Sequence, residues 1–225
     1  MPPPVPTRGP TGRPPRTSRT QIMDAARRLI DRDGWQMLTV RRLAAEIGVA
    51  PTTLYHHVRD KEDLLRQLLN DYADQIPRAR LPRDPHERII TASTVMHDSL
   101  AARPWITEVL TADDLVGTSS LWMVEAIVAG AIDSGCTPEQ AVVLYRSVWY
   151  YTVGEILVRA TAAHRRAESS RPVYRDAVLL GLDKSELPHL AALADRWPSL
   201  TARDTYQHGL HAIVDGLLPS TVTPS

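Results

Sequence analysis

The sequence predicts an all-α protein in two parts, a small helix-turn-helix head and a larger helical body. Three observations carry that reading. Apolar residues recur at three- and four-residue intervals through most of the chain, the spacing of one helix face, and no stretch alternates convincingly as a strand would. Between Leu38 and Leu65 two short helical patterns flank a glycine turn. Pro77, Pro82 and Pro85 then interrupt the pattern and mark a boundary. At 225 residues the chain can bury a substantial core.

Taken in order, residues 1–17 are rich in proline and arginine, from Pro2 to Arg16, and hold few apolar side chains. Such a segment is expected to be a disordered arm. The head is expected over residues 18–76. Its first helix spans about Ser18 to Asp33, with Ile22, Ala26, Leu29 and Ile30 on one face and Asp33-Gly34 at its end. In the stretch LTVRRLAAEIGVAPTTLYHHVRDKEDLL, Val40, Leu43, Ala44 and Ile47 make the next stripe. Thr39 is its N-cap, and Gly48 takes the left-handed turn that closes it. Pro51 opens the following helix, where a missing N–H costs nothing. Leu54 and Val58 face inward there and leave Thr52, Thr53 and His56 outward. This is a helix-turn-helix, whose second helix enters the DNA major groove. Asp60 caps a fourth helix that carries Leu64, Leu65, Leu68, Tyr72 and Ile76.

The body is expected over residues 77–219, with 220–225 a tail. Helices are expected at about Pro85–Ala102, from Pro104, and at Thr118–Ser134, the last with Leu121, Val124, Val128, Ala131 and Ile132 on one side. Thr137-Pro138-Glu139-Gln140 combines an N-cap, an N1 proline and a capping-box glutamine, and starts a helix running to about Arg166. Gly154 inside it fits either close packing or a kink. A polar linker over 168–186, with a short helix near Tyr174–Leu180, leads to helices at about Leu187–Arg196 and Ala202–Leu218. The apolar face of the last, Tyr206, Leu210, Ile213, Val214 and Leu217, suits pairing with a second copy or burial within one chain.

Net charge is zero, from 26 basic and 26 acidic residues, but the charges are not evenly spread. Residues 1–61 hold eleven Lys/Arg against five Asp/Glu, leaving fifteen against twenty-one in the remainder. A basic front on an acidic body fits a head that binds a polyanion. The single Cys136 excludes an internal disulfide and fits a reducing compartment. No apolar run has the length of a membrane span and no signal-peptide core is apparent, so a cytoplasmic protein without membrane partners is expected.

Specific residues add to this. Arg41-Arg42-Leu43-Ala44, Gly48-Val49, Thr53-Leu54-Tyr55-His56-His57-Val58 and Lys61 through Leu65 resemble the DNA-binding domain of tetracycline-repressor-type (TetR family) regulators. The close resemblance covers about Thr17 to Ile76. It implies a transcriptional regulator, most often a repressor, whose helical body binds a small-molecule effector. It also implies a homodimer formed through a four-helix bundle of the last two long helices. A homodimer on a double-stranded, pseudo-palindromic operator is the matching expectation for the DNA.

Side-chain type divides the expected DNA contacts. Thr52, Thr53 and His56 project toward base edges. Tyr55, His57 and Lys61 suit phosphates, and Arg41 suits guanine or phosphate. Pro51 and Ala50 depart from the family pattern, so the binding mode carries over without the operator sequence. The arginines of the arm either reach the DNA backbone or minor groove or belong to a solvated tail.

For the effector, Met96, Trp105, Trp122 and Trp149 are the apolar candidates and His97, Glu125 and Glu155 the polar ones, since pockets between helices are mostly apolar with a few placed polar groups. Plain core is the competing reading of each aromatic. Asp204, His208, His211 and Asp215 share one face of the last helix and read either as a divalent-metal set or as a solvated face. No nucleophile–base pair, phosphate-cradling loop or metalloprotease motif is present, so no enzymatic activity, cofactor or metal is expected. The alternatives are a metal-dependent enzyme using that Asp/His face, and a DNA-binding regulator without an effector.

Overall fold

A computed structural model describes residues 17–78, 80–112, 115–168 and 174–219. The expected arm and tail therefore lie outside the described residues, except for Thr17. The described residues hold twelve α-helices and two 3-10 turns, with no strand among them. They divide into two compact units, with the division between Leu68 and Leu69.

In the first unit, α1 (Arg19–Asp33) opens with a complete capping box: Gln21 N–H donates to Ser18 Oγ, and the Gln21 side chain accepts from Ser18 N–H. A 3-10 turn at Trp35–Met37 leads to α2 (Val40–Ile47), whose start is held by Thr39 accepting from Arg42 N–H at 3.2 Å. Gly48 closes α2 at φ 76°, ψ 33°, a conformation that a Cβ would strain. α3 (Pro51–Leu54) is a single short turn continued by hydrogen-bonded turns through Val58. α4 (Lys61–Asp74) follows, and Asp60 caps it by accepting from Asp63 N–H at 2.7 Å. Ile22, Leu43, Leu54, Leu64 and Leu68 are fully buried in this unit. Each such side chain removed from water contributes about 1.5–3 kcal/mol.

The second unit is a helical body. α5 (Pro85–Ala101) and α6 (Pro104–Ala112) precede α7 (Leu121–Asp133) and the 31-residue α8 (Pro138–Glu168). The Thr137/Gln140 capping box that starts α8 is complete, with both bonds made. α9 (Tyr174–Leu180), α10 (Pro188–Ala191), α11 (Trp197–Thr201) and α12 (Tyr206–Leu217) finish the chain. The core lies where α5 packs on α7, α7 on α8, and α12 on α5 and α8. Gly130 is what lets α5 and α7 meet: a Cβ there would fall 2.6 Å from Ile89 Cγ1 and 2.9 Å from the Pro85 carbonyl oxygen.

Three expectations need correction. The buried face of α7 is Met123, Ala126, Ile127, Gly130 and Ala131, while Leu121 and Ile132 are exposed. The helix expected over Leu187–Arg196 is only the short α10 followed by turns, with Pro198 in the first turn of α11. The last helix starts at Tyr206 instead of Ala202, because Asp204 turns back to accept from Tyr206 N–H at 3.0 Å. A Cβ on Gly154 would meet nothing within 4 Å, so close packing within this chain does not explain that glycine.

Candidate nucleic-acid interface and ligand cavity

The helix-turn-helix is held from below by Leu54 and Val58, both buried, which fixes what faces outward. Thr52, Tyr55, His56 and His57 are exposed and Thr53 half-buried. Tyr55 is an aromatic with half its surface in water. Arg41 is exposed at the second position of α2. This surface offers hydroxyl, imidazole and guanidinium groups, the chemistry that meets base edges and phosphates.

Lys61 stands apart from the others. Its Nζ donates to the Gln36 carbonyl at 2.9 Å and lies 5.1 Å from the Trp35 ring centroid. An ammonium has three donors, so this anchoring leaves capacity for a phosphate oxygen. Arg59, a DNA-facing candidate without its own sequence signal, is an exposed cation two residues after His57. Its N–H donates to Asp63 Oδ2 at 2.9 Å, the main reason the Asp63 carboxyl titrates below the usual carboxylate range. Arg42 serves the fold, donating to the Met37 carbonyl at 3.1 Å and pairing with Asp33.

In the second unit a cavity of about 510 Å³ opens between the last turn of α4 and helices α5 to α8. Met96, Leu100, Ile106 and Met123 give it a buried apolar floor. Tyr72, Gln75, Ser99, Arg103, Ser120 and Tyr145 supply its polar atoms. Burial pushes the Tyr145 phenol above its ordinary pKa.

Of the expected effector residues, Met96 and Trp149 line this cavity. The others lie elsewhere. Trp105 stands edge-on to Tyr72 at 5.8 Å, off the lining. Trp122 is half-buried and also off it. Glu125 is exposed, because the buried face of α7 lies on its other side. His97 and Glu155 form a separate polar cluster: Nε2 of His97 is 3.1 Å from Glu155 Oε2, Nδ1 is 2.9 Å from Asp98 Oδ1, and the ring stacks on Tyr206 at 3.7 Å. Glu155 also pairs with Arg159, which reaches Asp204. The polar residues that do line the cavity lacked a sequence signal: Arg103 falls in an interhelical turn, and Tyr145 reads as ordinary α8 core.

The Asp204, His208, His211 and Asp215 set is not assembled as expected. Asp204 precedes α12 and is tied to Arg159, and His208 is exposed. His211 and Asp215 instead meet His86 at the start of α5, with one donor atom from each of the three within 4.8 Å of the others. In this structure the His86–Asp215 contact, 2.6 Å, is a hydrogen bond between α5 and α12.

The model of the bacterial regulatory proteins, tetR family, matches residues 22–68, and that of the tetracyclin repressor-like C-terminal domain matches residues 81–220. The chain belongs to the TetR family. It is 26% identical over 226 residues to the HTH-type transcriptional repressor DrrR1 of Streptomyces coeruleorubidus, spanning 94% of this chain and 80% of that protein. Apo ActR from Streptomyces coelicolor superimposes with a TM-score of 0.70 at 20% identity, over 90% of this chain and 95% of ActR. BioQ in complex with its double-stranded DNA operator superimposes at 0.60 and 21% identity, over 89% of this chain and 98% of BioQ. This TetR-family chain is thus a helix-turn-helix, DNA-binding transcriptional regulator. Among its described residues no helix is long and apolar enough to cross a membrane.

Proposed function

We propose that this TetR-family regulator is a repressor that holds a pseudo-palindromic operator as a homodimer and is released by a small, mostly hydrophobic effector. The observation that carries the reading is the cavity of about 510 Å³ in a chain that also presents an exposed helix-turn-helix surface of hydroxyl, imidazole and guanidinium groups. That volume is the size of a small-molecule site. The relative seen with its operator, BioQ, supports operator binding by this fold. Arg41, Thr52, Thr53, Tyr55, His56, His57 and Lys61 are the proposed DNA contacts.

Support for the dimer comes from α8. Val143, Tyr150 and Val158 are exposed at 54%, 57% and 68%, and they share one face with the exposed Gly154. Three large apolar groups in line on a helix buried along its other side fit a protein contact. The α12 stripe contributes less than expected, because Tyr206, Leu210 and Val214 are buried within the chain. An effector acts only through its differential affinity for the DNA-competent and released conformations.

Selection of DNA bound by the full-length protein, repeated with a panel of metabolites, tests the whole reading. The expected product is an inverted repeat with half-sites centred about 34 Å apart, depleted by at least one metabolite. A pool with no enriched sequence overturns operator binding. Sedimentation as a monomer at micromolar concentration, with single half-sites bound as tightly as full sites, overturns the dimer.

A further inference from the structure

The effector cavity holds a single charge, and that charge has no counter-ion. Among the residues lining it, Arg103 is the one ionised side chain, with no aspartate or glutamate to oppose it and no lysine to share its role. No carboxylate pairs with Arg103 among the described residues. Its guanidinium lies 4.5 Å from the Tyr72 ring centroid, at the exposed rim above the apolar floor. The neutral polar groups are largely occupied. Ser99 Oγ donates to the Val95 carbonyl at 2.7 Å, Ser120 Oγ to the Gly117 carbonyl at 2.7 Å, and Gln75 Nε2 to the Asp71 carbonyl at 2.8 Å. The Arg103 guanidinium, the Tyr145 hydroxyl and the Trp149 indole N–H remain as side-chain donors with no acceptor among the described residues, and of these only Arg103 is charged.

We infer that the effector is a hydrophobic anion, a carboxylate or sulfonate on an apolar frame, whose charged end is bound by Arg103. This rests on the cavity being the effector site. A planar guanidinium matches two anionic oxygens at once, a geometry that neither a hydroxyl nor an ammonium offers. Its cation–π contact with Tyr72, 4.5 Å to the ring centroid, holds the guanidinium at the rim before a ligand arrives. The apolar floor binds the rest of the molecule by removing it from water. A cationic amphiphile of the same size meets Arg103 as a like charge and is excluded.

Two probes with a common skeleton decide it: 8-anilinonaphthalene-1-sulfonate, an anion, and N-phenyl-1-naphthylamine, the same frame without the sulfonate. Both are titrated into the full-length protein, reading energy transfer from Trp149 and the other tryptophans. Arg103→Gln is expected to weaken the sulfonate about ten- to a hundredfold, the range of a charge-assisted hydrogen-bonded contact, and to change the neutral probe less than about threefold. Arg103→Lys is expected to fall between, since it keeps the charge and loses the fork. Equal effects of Arg103→Gln on both probes, or none on either, overturn the inference. Leu110→Trp, which fills the cavity from α6, is expected to displace both probes. Val124→Trp replaces it should that variant lose its cooperative thermal transition. Probes that bind undiminished to a folded, filled variant sit elsewhere, and that outcome overturns the cavity as the effector site, whatever Arg103 does.

Discussion

The Tyr206 hydroxyl lies 2.8 Å from Thr152 Oγ1, and both side chains are shut off from water where α12 meets α8. The same hydroxyl lies 3.4 Å from the Ser93 carbonyl of α5, so one phenol joins three helices. Either single change, Tyr206→Phe or Thr152→Val, leaves a buried polar group short of a partner and should cost about 1–3 kcal/mol. The double variant removes both needs at once. Denaturant unfolding should therefore find it less destabilised than the sum of the singles; simple additivity would show that the bond contributes nothing.

The same residue sets an alkaline limit. Burial is the main cause that raises the Tyr206 phenol from 10 to about 12, against the opposing effect of the Thr152 bond. Below pH 10 the folded and unfolded chains both keep this proton. Between 10 and 12 the unfolded chain has released it and the folded chain has not, so stability falls as pH rises through that window, by at most about 1.4 kcal/mol per unit. Tyr206→Phe should flatten that part of the profile. An unchanged slope in the variant would assign the alkaline loss to other groups.

Lys61 should show two separable effects. Losing its bond to the Gln36 carbonyl and its contact with Trp35 should lower stability by about 1 kcal/mol in Lys61→Ala. Loss of a phosphate contact should weaken all DNA sequences about equally, whereas Thr53→Ala or His56→Ala should change base preference at about 1–3 kcal/mol per contact. Selection with each variant separates them. A changed preference in Lys61→Ala alone would reverse the roles.

What was legible in the sequence follows how local each signal is. Thr39, Gly48 and Pro51 act within one turn of themselves, so the helix-turn-helix and its outward residues could be read directly. α7, LWMVEAIVAGAID, is apolar almost all round, so periodicity could not choose its buried face. The choice is made by Gly130 and its small neighbours, where α5 comes close, and that depends on α5. The same rotation turns Glu125 to the exposed side of α7. The cavity is less legible still: tryptophan content points to Trp105 and Trp122 as readily as to Trp149, but a space between helices is a property of how five helices meet. Arg103, in a turn between two of them, carries no periodicity at all.

Gly130 offers a direct test of that close approach. In Gly130→Ala the new methyl would sit 2.6 Å from Ile89 Cγ1 and 2.9 Å from the Pro85 carbonyl oxygen. Overpacking of this kind should cost about 1–3 kcal/mol, despite alanine's better helix propensity. Ile89→Ala relieves only part of the clash, since the backbone oxygen cannot be trimmed, and adds a cavity cost of about 2–5 kcal/mol because Ile89 is fully buried, so the relief is read as coupling in a double-mutant cycle. A Gly130→Ala protein as stable as the parent would show that the helices separate freely.

The last prediction concerns the outer face of α8. Val158, 68% exposed, gains little from its position within one chain, so Val158→Glu should leave monomer stability within about 0.5 kcal/mol. In the proposed dimer the same carboxylate would be buried against apolar side chains of the second copy without a partner, which is strongly unfavourable. Sedimentation should then shift from dimer to monomer, and affinity for a full operator should fall toward that for a half-site. Helical content should not change. Tyr150→Asp, on the same face, should behave alike. His208→Glu, on the exposed surface of α12, should leave assembly intact and serves as the control for added charge. If Val158→Glu and Tyr150→Asp both remain dimeric while His208→Glu dissociates, the pairing surface is on α12 and the exposed valines of α8 need another explanation.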